Sequence, residues 1–295
     1  MKKTAFIAIV GRPNVGKSTL LNSILGEKVA IVSKKPQTTR NRITGIHTVG
    51  ENQFVFLDTP GIHSPRTRLG DFMVKTTAET LGGVDSAILV VEAREQVGDI
   101  EAKIISRFKS DGIRAILVIN KIDAVSKENI VKTISAYAEA FDFEAVIPIA
   151  AKNGKGVDTV VSECEKFLAE SDWFFPDDIA TDQPEKQIAA EIIREKLLRS
   201  LDEEIPHGTA VTIEEWKEKR GTVSIRAEIY CEKASHKGII IGKGAATIKR
   251  IGMYAREDIE KMLDTKVFLD LYVRVKENWR DSDFNISNFG YKEEM

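Results

Sequence analysis

The residues best suited to chemistry form a glycine-rich segment near the start of the chain. Gly11–Ser18 reads GRPNVGKS, which fits the pattern G-x-x-x-x-G-K-[ST], and Thr19 follows it. The segment lies between an apolar run and a helical stretch, which is the context that this pattern requires. Its backbone N–H groups can converge on phosphate oxygens, Lys17 can reach the β- and γ-phosphates, and the Ser18 hydroxyl can bind Mg²⁺. The segment therefore predicts a nucleoside triphosphate site.

Two further motifs indicate which base is bound. In Asp58-Thr59-Pro60-Gly61, Asp58 is placed to hold Mg²⁺ through water, and the Gly61 N–H can sense the γ-phosphate. In Asn120-Lys121-Ile122-Asp123, the Asp123 carboxylate can accept two N–H groups of guanine, whereas adenine offers no such donor pair. Asn120 braces the loop and the Lys121 stem covers the base. The order of the three motifs predicts a guanine nucleotide, and an ATPase of the same loop class is the alternative.

The elements around these motifs are typical of a mostly parallel α/β sheet. Near-continuous apolar runs predict strands that are buried on both faces, and Arg42–Thr48 reads as a weaker edge strand. The predicted strands are Ala5–Val10, Phe54–Leu57, Ala87–Val91, Ala115–Ile119 and Val146–Ile149. The predicted helices between them are Lys17–Leu25, Leu69–Leu81, Ile100–Ser110, Lys127–Ala140 and Val157–Glu170.

The alternation stops at a stretch rich in proline and aspartate, which predicts a linker. We therefore expect a nucleotide-binding domain over residues 1–170, a linker over 171–186, a smaller α+β domain over 187–280 and a tail over 281–295. The smaller domain has the predicted order α-β-β-α-α-β. Its second and last strands alternate apolar and polar residues, as in half-buried strands.

The chain resembles the Ras-like GTPases, and most of all the bacterial Era family. The resemblance extends over nearly the whole chain. It is carried by Gly11–Ser18, Gln37–Arg40, Asp58–Gly61, Asn120–Asp123, Gln183–Glu185 and Glu191–Lys196. It implies that Thr39 is a switch ligand for Mg²⁺, with Thr38 as the alternative. It also places Ala150-Ala151-Lys152 at the base-contacting loop that reads Ser-Ala-Lys in many GTPases. Because the main contact there is a backbone N–H, guanine recognition should survive the alanine.

The same resemblance bears on the reaction, in which Lys17, Asn14, Thr39 and Gly61 are the expected catalytic group. Many Ras-like GTPases have a glutamine where this chain has Ile62, and an isoleucine cannot orient a water. Slow intrinsic hydrolysis is therefore expected. Relatives with an asparagine at the position of Asn14 use K⁺ there, and we hypothesise the same for this chain. The alternative is that Asn14 only stabilises the loop turn.

The second domain resembles a type II KH domain, in which a GXXG loop clamps about four nucleotides of single-stranded RNA. Here the loop reads Gly242-Lys243-Gly244-Ala245, so its fourth residue departs from the pattern and could weaken the phosphate contact. Around it lie basic residues without an acidic neighbour, which predicts a local cationic patch. Ile240 and Ile241 either line the groove or fill the core. The candidate RNA-binding residues are Lys237, Ile240, Ile241, Gly242, Lys243, Gly244, Ala245, Lys249 and Arg250.

Composition limits the remaining possibilities. The formal net charge is −2, so contact with nucleic acid requires a local patch. No apolar run approaches the roughly 18 residues of a membrane span. The histidines, His63 in the expected second switch included, lack ligand spacing.

We expect a monomeric, cytoplasmic protein, and the motifs and the resemblance imply a GTPase that binds GTP or GDP with Mg²⁺. It further implies that the chain binds the 3′ end of 16S ribosomal RNA and acts in assembly of the small ribosomal subunit. Peripheral association with the inner face of the cell membrane is also implied. A nucleotide-gated binding module, in which hydrolysis is only a slow reset, is the alternative.

Overall fold

The computed structural model of the chain describes residues 1–62 and 65–292. Contacts divide the chain into two compact units. The first contains residues 1–64 and 72–182, and the second contains residues 65–71 and 183–295. The division therefore falls between Asp182 and Gln183, inside the segment that the sequence marks as a linker.

A mostly parallel sheet forms the centre of the first unit. Its strands are β1 (Lys3–Val10), β2 (Ile43–Val49), β3 (Asn52–Asp58), β4 (Ser86–Glu92), β5 (Arg114–Asn120), β6 (Ala145–Pro148) and the short β7 (Ala169–Glu170). The order is β2-β3-β1-β4-β5-β6, with β7 paired to β1. β2 and β7 are antiparallel to their neighbours, and the other pairs are parallel. The predicted α/β fold is confirmed, including the edge position of β2.

Helices cover both faces of this sheet. They are α1 (Lys17–Leu25), α2 (Arg68–Leu81), α3 (Asp99–Asp111), α4 (Lys127–Ala140) and α5 (Val157–Cys164). Alternate residues of β1 enter different cores, Ile7 and Ile9 on one face and Ala8 and Val10 on the other. This explains why the central strands are apolar at consecutive positions.

The fifth helix is shorter than the sequence predicts. It ends at Cys164, and a 3-10 turn over Glu165–Phe167 follows it. The chain then pairs Ala169 and Glu170 with the start of β1. Extending the predicted helix to residue 170 was therefore wrong, because pairing with a distant strand replaces the last turns of the helix.

The second unit has the predicted order α-β-β-α-α-β and a short helix beyond it. Its elements are α6 (Glu185–Ser200), β8 (Ala210–Lys219), β9 (Thr222–Cys231), α7 (Ala234–Ile241), α8 (Ala246–Leu263), β10 (Lys266–Val275) and α9 (Asp283–Asn288). The sheet order is β10-β9-β8, with β8 antiparallel and β10 parallel to β9. Apolar residues of β9, such as Ile225 and Ile229, pack in one core with Ile193 of α6 and Ile251 of α8.

Candidate functional site

The three nucleotide motifs meet at one edge of the first sheet. The segment Gly11–Gly16 connects β1 to α1, Asp58 is the last residue of β3, and Asn120 is the last residue of β5. These strands are parallel to one another, so their carboxyl ends share an edge, where ligands bind in open α/β sheets. Gly11 has φ +147°, and a Cβ there would lie 2.3 Å from the Val90 carbonyl oxygen. Only glycine therefore fits at the first position of the loop.

Three side-chain oxygens converge next to the loop. The Ser18 hydroxyl donates to Asp58 Oδ2 at 2.5 Å and lies 2.8 Å from Thr39 Oγ1. Thr39 Oγ1 is itself 3.4 Å from Asp58 Oδ2. Asp58 Oδ1 is buried without a hydrogen-bond partner in the described part of the chain. Hydroxyl and carboxylate oxygens are the ligands that Mg²⁺ prefers, so this cluster fits the cation that the sequence implies.

The same geometry bears on the choice between the two adjacent threonines. The Thr38 hydroxyl donates to the Lys35 carbonyl oxygen at 2.7 Å, whereas Thr39 is directed to Ser18 and Asp58. The Thr39 hydroxyl, and not that of Thr38, therefore lies with the oxygens of Ser18 and Asp58.

Burial changes the acidity of the two charged groups in this site. Lys17 is buried, which lowers its pKa to about 8, while the charge of Asp58 acts in the opposite direction. Burial also raises the pKa of Asp58 to about 6, against the effects of Lys17, Ser18 and Thr39. The Lys17 ammonium donates to the Gly11 and Arg12 carbonyl oxygens at 3.3 and 3.0 Å. The site therefore holds a cation on α1 and a carboxyl group on β3 out of water.

Asn120 ties the loops of the site together. Its amide Nδ2 donates to the Val15 carbonyl oxygen at 2.9 Å. Its Oδ1 accepts the backbone N–H groups of Lys121 at 2.8 Å and Ala151 at 3.0 Å. Asp123 is exposed in the turn that follows, so its carboxylate is open to a ligand. The expected brace is thus present, and it reaches the loop at Ala150–Lys152 as well.

Asn14 contacts the segment that carries the switch threonines. Its Nδ2 donates to the Lys34 carbonyl oxygen at 2.8 Å, and its φ of 65° is left-handed. The Lys121 ammonium donates to the Asn14 carbonyl oxygen at 2.6 Å. The Asn14 side chain therefore ties the loop turn to Lys34, and the backbone carbonyl of Asn14 is occupied by the Lys121 ammonium.

The Asp58–Gly61 motif packs directly on the phosphate loop. A Cβ at Gly61 would lie 2.6 Å from Pro13 Cα, so this close approach requires glycine. The Ile62 N–H donates to the Gly11 carbonyl oxygen at 3.2 Å, and the Ile62 side chain is half-buried against the core. His63 lies outside the described residues. The remaining candidates, Thr19, Thr59, Pro60, Lys121, Ala150 and Lys152, lie in α1 or in the loops at this edge.

An ion pair that the sequence did not reveal anchors the loop from the side. Arg12 Nε donates to Glu101 Oε1 of α3 at 2.6 Å, and this contact raises the pKa of Arg12. Glu101 is 3% exposed. A Cβ at Gly98 would lie 1.9 Å from an Arg12 guanidinium nitrogen, so glycine leaves room for the pair. No motif links residues this far apart in the sequence.

The candidate RNA-binding loop joins α7 to α8 in the second unit. Lys243, Lys249 and Arg250 are exposed, and Lys237 is half-buried. Beside the loop, α8 and β10 form a groove of about 330 Å³. It is lined by Ile248, Lys249, Gly252, Met253, Arg256, Leu269 and Leu271. Apart from Lys249, these groove residues are absent from the sequence-based set, because groove walls depend on packing between elements.

Two candidates in this region require comment. Ile240 is 0% exposed and belongs to the core, so its assignment to RNA binding was wrong. The next residue, Ile241, is half-buried and packs against the same core. Ala245 has φ 63°, a left-handed conformation that glycine adopts without strain. The departure from the GXXG pattern therefore falls at a position that favours glycine.

Comparison with known families agrees with both halves of this description. A family described as "50S ribosome-binding GTPase" matches residues 6–121, and a family described as "KH domain" matches residues 204–280. GTPase Era of Ruminiclostridium cellulolyticum is 49% identical over 291 residues, which cover 98% of each chain. GTPase Era of Clostridium kluyveri is 50% identical over 293 residues, covering 99% of this chain and 100% of the relative.

Two solved structures are similar over almost the full length. One is Era in complex with MgGDPNP and nucleotides 1506–1542 of 16S ribosomal RNA, with a TM-score of 0.94, 38% identity and 99% of each chain covered. The other is a variant of Aquifex aeolicus Era bound to GDP and AlF₄⁻, also with a TM-score of 0.94 and 38% identity, covering 98% of this chain and 99% of that one. Identity near one half along the entire chain shows that this protein belongs to the Era family of GTPases.

Proposed function

We propose that this chain binds and hydrolyses GTP with Mg²⁺ and uses this cycle to control binding to the 3′ end of 16S ribosomal RNA during small-subunit assembly. The observation that carries the proposal is the cluster of Ser18, Thr39 and Asp58 oxygens beside Lys17. The guanine-type loop at Asn120–Asp123 lies at the same sheet edge. The similar Era structure in complex with MgGDPNP and nucleotides of 16S ribosomal RNA supports it.

In this mechanism the chain positions the nucleotide and stabilises charge, which is the main requirement of phosphoryl transfer. Lys17 and the backbone N–H groups of the loop bind the phosphates, and Asp123 accepts the guanine N–H groups. Ser18, Thr39 and Asp58 would hold Mg²⁺, which would supply positive charge to the phosphate oxygens. Thr39 belongs to the segment that contacts Asn14 through Lys34. Because Thr39 would be held by the Mg²⁺ beside the γ-phosphate, loss of that phosphate would release this segment.

Slow hydrolysis is part of the proposal. Ile62 cannot hydrogen-bond the attacking water, and its side chain is half-buried against the core. Asn14, with the Lys34 carbonyl at hand, would hold K⁺ as an additional source of positive charge. The chain therefore hydrolyses GTP slowly without help.

In the RNA-binding half, the groove between α8 and β10 would take bases, and the loop from Gly242 to Ala245 would approach the phosphates. Lys243, Lys249 and Arg250 are exposed cations beside this path. Lys237 and Ile241 are partly exposed and remain candidates, whereas Ile240 is not one.

The half-buried Ile62 also favours a second candidate function, a nucleotide-gated RNA-binding module in which hydrolysis is only a reset. The two functions differ when hydrolysis is blocked. A non-hydrolysable GTP analogue would support the full function of a gated module, and it would arrest a switch that must cycle.

We place the protein in the cytoplasm, with peripheral association at the inner face of the membrane. Only the resemblance to the family supports the peripheral association. Among the described helices, none has the length and apolar content to cross a bilayer.

The proposal is tested by RNA binding as a function of salt. With a labelled oligonucleotide from the 3′ end of 16S ribosomal RNA, Lys243→Ala and Lys249→Ala should each weaken binding. Each should also lower the slope of log affinity against log salt by about 0.7, as expected for one lost phosphate contact on a single strand. Lys103→Ala, an exposed change in α3 of the first unit, is the matched control. Slopes that equal the control slope contradict the RNA assignment.

Hydrolysis is tested in parallel. The chain should release phosphate from GTP in the presence of magnesium. Lys17→Ala should abolish both the binding of GTP and the release of phosphate. If calorimetry detects no binding of GDP or GTP to the wild-type chain, the proposed function is refuted.

A further inference from the structure

The sheet of the second unit has one face that its helices cover and one that they leave open. Val267 and Val273 of β10 pack into the core with Val223 and Ile225 of β9. Successive side chains of a strand point to opposite faces. The outer face therefore carries the alternate residues of β10, which are Phe268, Asp270, Tyr272 and Arg274.

Two large aromatic side chains on this outer face are open to solvent. Phe268 is 58% exposed and Tyr272 is 45% exposed. They are four residues apart on β10, hence roughly 13 Å apart along the strand. β10 lies at one end of the sheet order, so both rings are next to the sheet edge. The core does not need these rings, because it is built on the opposite face.

Polar and cationic groups surround the two rings. The Arg226 guanidinium lies 5.7 Å from the centroid of the Tyr272 ring. In the strand register, Phe268 is opposite Ser224 and Asp270 is opposite Arg226. Cationic residues outnumber carboxylates on this face. The cations are Lys217, Lys219, Arg226, Lys266 and Arg274, and the carboxylates are Glu214, Glu215, Glu228 and Asp270. Glu215 pairs with Lys217, and its Oε2 lies 3.8 Å from Arg226 Nε.

Charges of both signs on this face are partly paired with each other. Glu228 accepts Arg274 Nε at 2.5 Å and the Tyr230 hydroxyl at 2.6 Å. Tyr230 in turn packs against Phe289, with 4.4 Å between ring centroids, so the C-terminal segment covers that end of the face. The open part is thus the area around Phe268, Tyr272 and Arg226, which we call the outer aromatic face.

We propose that the outer aromatic face binds bases of single-stranded RNA by stacking on Phe268 and Tyr272. This inference rests on the proposed RNA-binding function and extends it beyond the groove. The distance between the rings exceeds the rise between stacked bases, so each ring takes a separate base. Arg226 attracts the backbone or stacks beside Tyr272, and Asp270 can accept an exocyclic amino group.

Continuity with the groove supports RNA as the occupant. Leu269 and Leu271 of β10 line the groove on the helix side, while Phe268 and Tyr272 lie on the other side of the same edge strand. A strand that leaves the groove past this edge reaches the outer aromatic face directly. The core of a protein interface would instead be apolar and depleted of charge, whereas here isolated rings alternate with charged groups.

The test compares two RNA lengths with one double variant. Phe268→Leu/Tyr272→Leu removes both rings but keeps apolar, exposed side chains. The short oligonucleotide, of about four nucleotides, fills only the groove. The long one, of about twelve nucleotides from the 3′ end of 16S ribosomal RNA, is within the site sizes of single-strand binders. The double variant should bind the long RNA about tenfold or more weakly, as expected when stacked bases lose their platform. Its affinity for the short RNA should be unchanged.

A matched control removes an exposed ring elsewhere. Phe174→Leu changes a side chain that is 62% exposed in the first unit, and it should leave both affinities unchanged. Circular dichroism and GTP hydrolysis of the full chain establish that each variant is folded.

The outcomes separate this inference from the function beneath it. Equal loss for both RNA lengths, or no loss for either, overturns the outer aromatic face as an RNA site. If no RNA affinity changes but sedimentation shows that the variant loses self-association, the face binds a second copy of this chain instead. If the wild-type chain binds neither RNA, the proposed function fails and this inference fails with it.

Discussion

The proposed base selection depends on one exposed carboxylate. Asp123 lies in the turn after β5, at the edge where the other nucleotide motifs meet. We expect Asp123→Asn to weaken binding of guanine nucleotides about a hundredfold, since two hydrogen bonds to a charged acceptor are lost. Xanthine carries a carbonyl oxygen where guanine has its amino group, so the same variant should gain affinity for xanthosine nucleotides. Competition between GDP and XDP measures both effects.

The control for this change is adenine. Neither the wild-type chain nor the variant should bind ADP with comparable affinity, because adenine lacks the paired donors. An unchanged preference for guanine in the variant would mean that another group reads the base.

The role of Asn14 is decided by the choice of monovalent cation. If Asn14 holds K⁺ near the phosphates, hydrolysis should be faster in KCl than in NaCl by about tenfold or more, as for other electrostatic stabilisers of a transition state. In Asn14→Ala the ratio of the two rates should fall towards one, while the affinity for GDP stays nearly constant. Single-turnover phosphate release in the two salts at equal ionic strength provides the measurement. Equal rates in the wild-type chain would leave Asn14 with the structural role of its contacts to Lys34 and Lys121.

At the scale of elements, the sequence predicted what is local. The strand ends that carry Asp58 and Asn120 were predicted because a buried parallel strand is an apolar run that stops at a polar residue. The end of α5 was not, because the pairing of Ala169 with Thr4 joins parts of the chain that are distant in sequence. The pairing of Arg12 with Glu101 was missed for the same reason, and the sequence could not decide whether Ile240 lines the groove or fills the core. Each depends on which elements pack together.

The loop between α7 and α8 offers a test of backbone strain. Ala245 has φ 63°, whereas the next residue, Ala246, has φ −64° and begins α8. The left-handed conformation costs a residue with a Cβ roughly 1 to 2 kcal/mol, and glycine removes this cost. Glycine also gives the unfolded chain more conformational entropy, which offsets the gain by up to about 1 kcal/mol. Ala245→Gly should therefore stabilise the second unit by up to about 1 kcal/mol.

Ala246→Gly is the matched control with the opposite expected sign. It removes the same methyl group one residue later, where helical geometry favours alanine by about 1 kcal/mol. Urea unfolding followed by tryptophan fluorescence compares the two variants. Destabilisation by both would show that Ala245 is not strained in solution.

At the scale of the whole molecule, a nearly neutral net charge coexists with a local cationic surface on the second unit. A net charge of −2 gives no hint of nucleic acid, whereas the run of basic residues around Lys243, which has no acidic neighbour, already predicts a local cationic patch from the sequence. The motifs fixed the nucleotide chemistry in advance, since each is local in sequence. The groove wall at Leu269 and Leu271 and the outer aromatic face could not be predicted, because their residues read as ordinary strand alternation.

The last prediction concerns coupling between nucleotide and RNA. If the protein is a switch, a GTP analogue and GDP should give different RNA affinities, by a factor of about 5 to 150 for a typical allosteric coupling. Linkage requires that RNA change the ratio of the two nucleotide affinities by the same factor. Asp123→Asn supplies an internal control, because in that variant xanthosine nucleotides should shift RNA affinity and guanosine nucleotides should not. Equal RNA affinity in both nucleotide states would refute a switch, and unequal factors in the two directions would show that the titrations had not reached equilibrium.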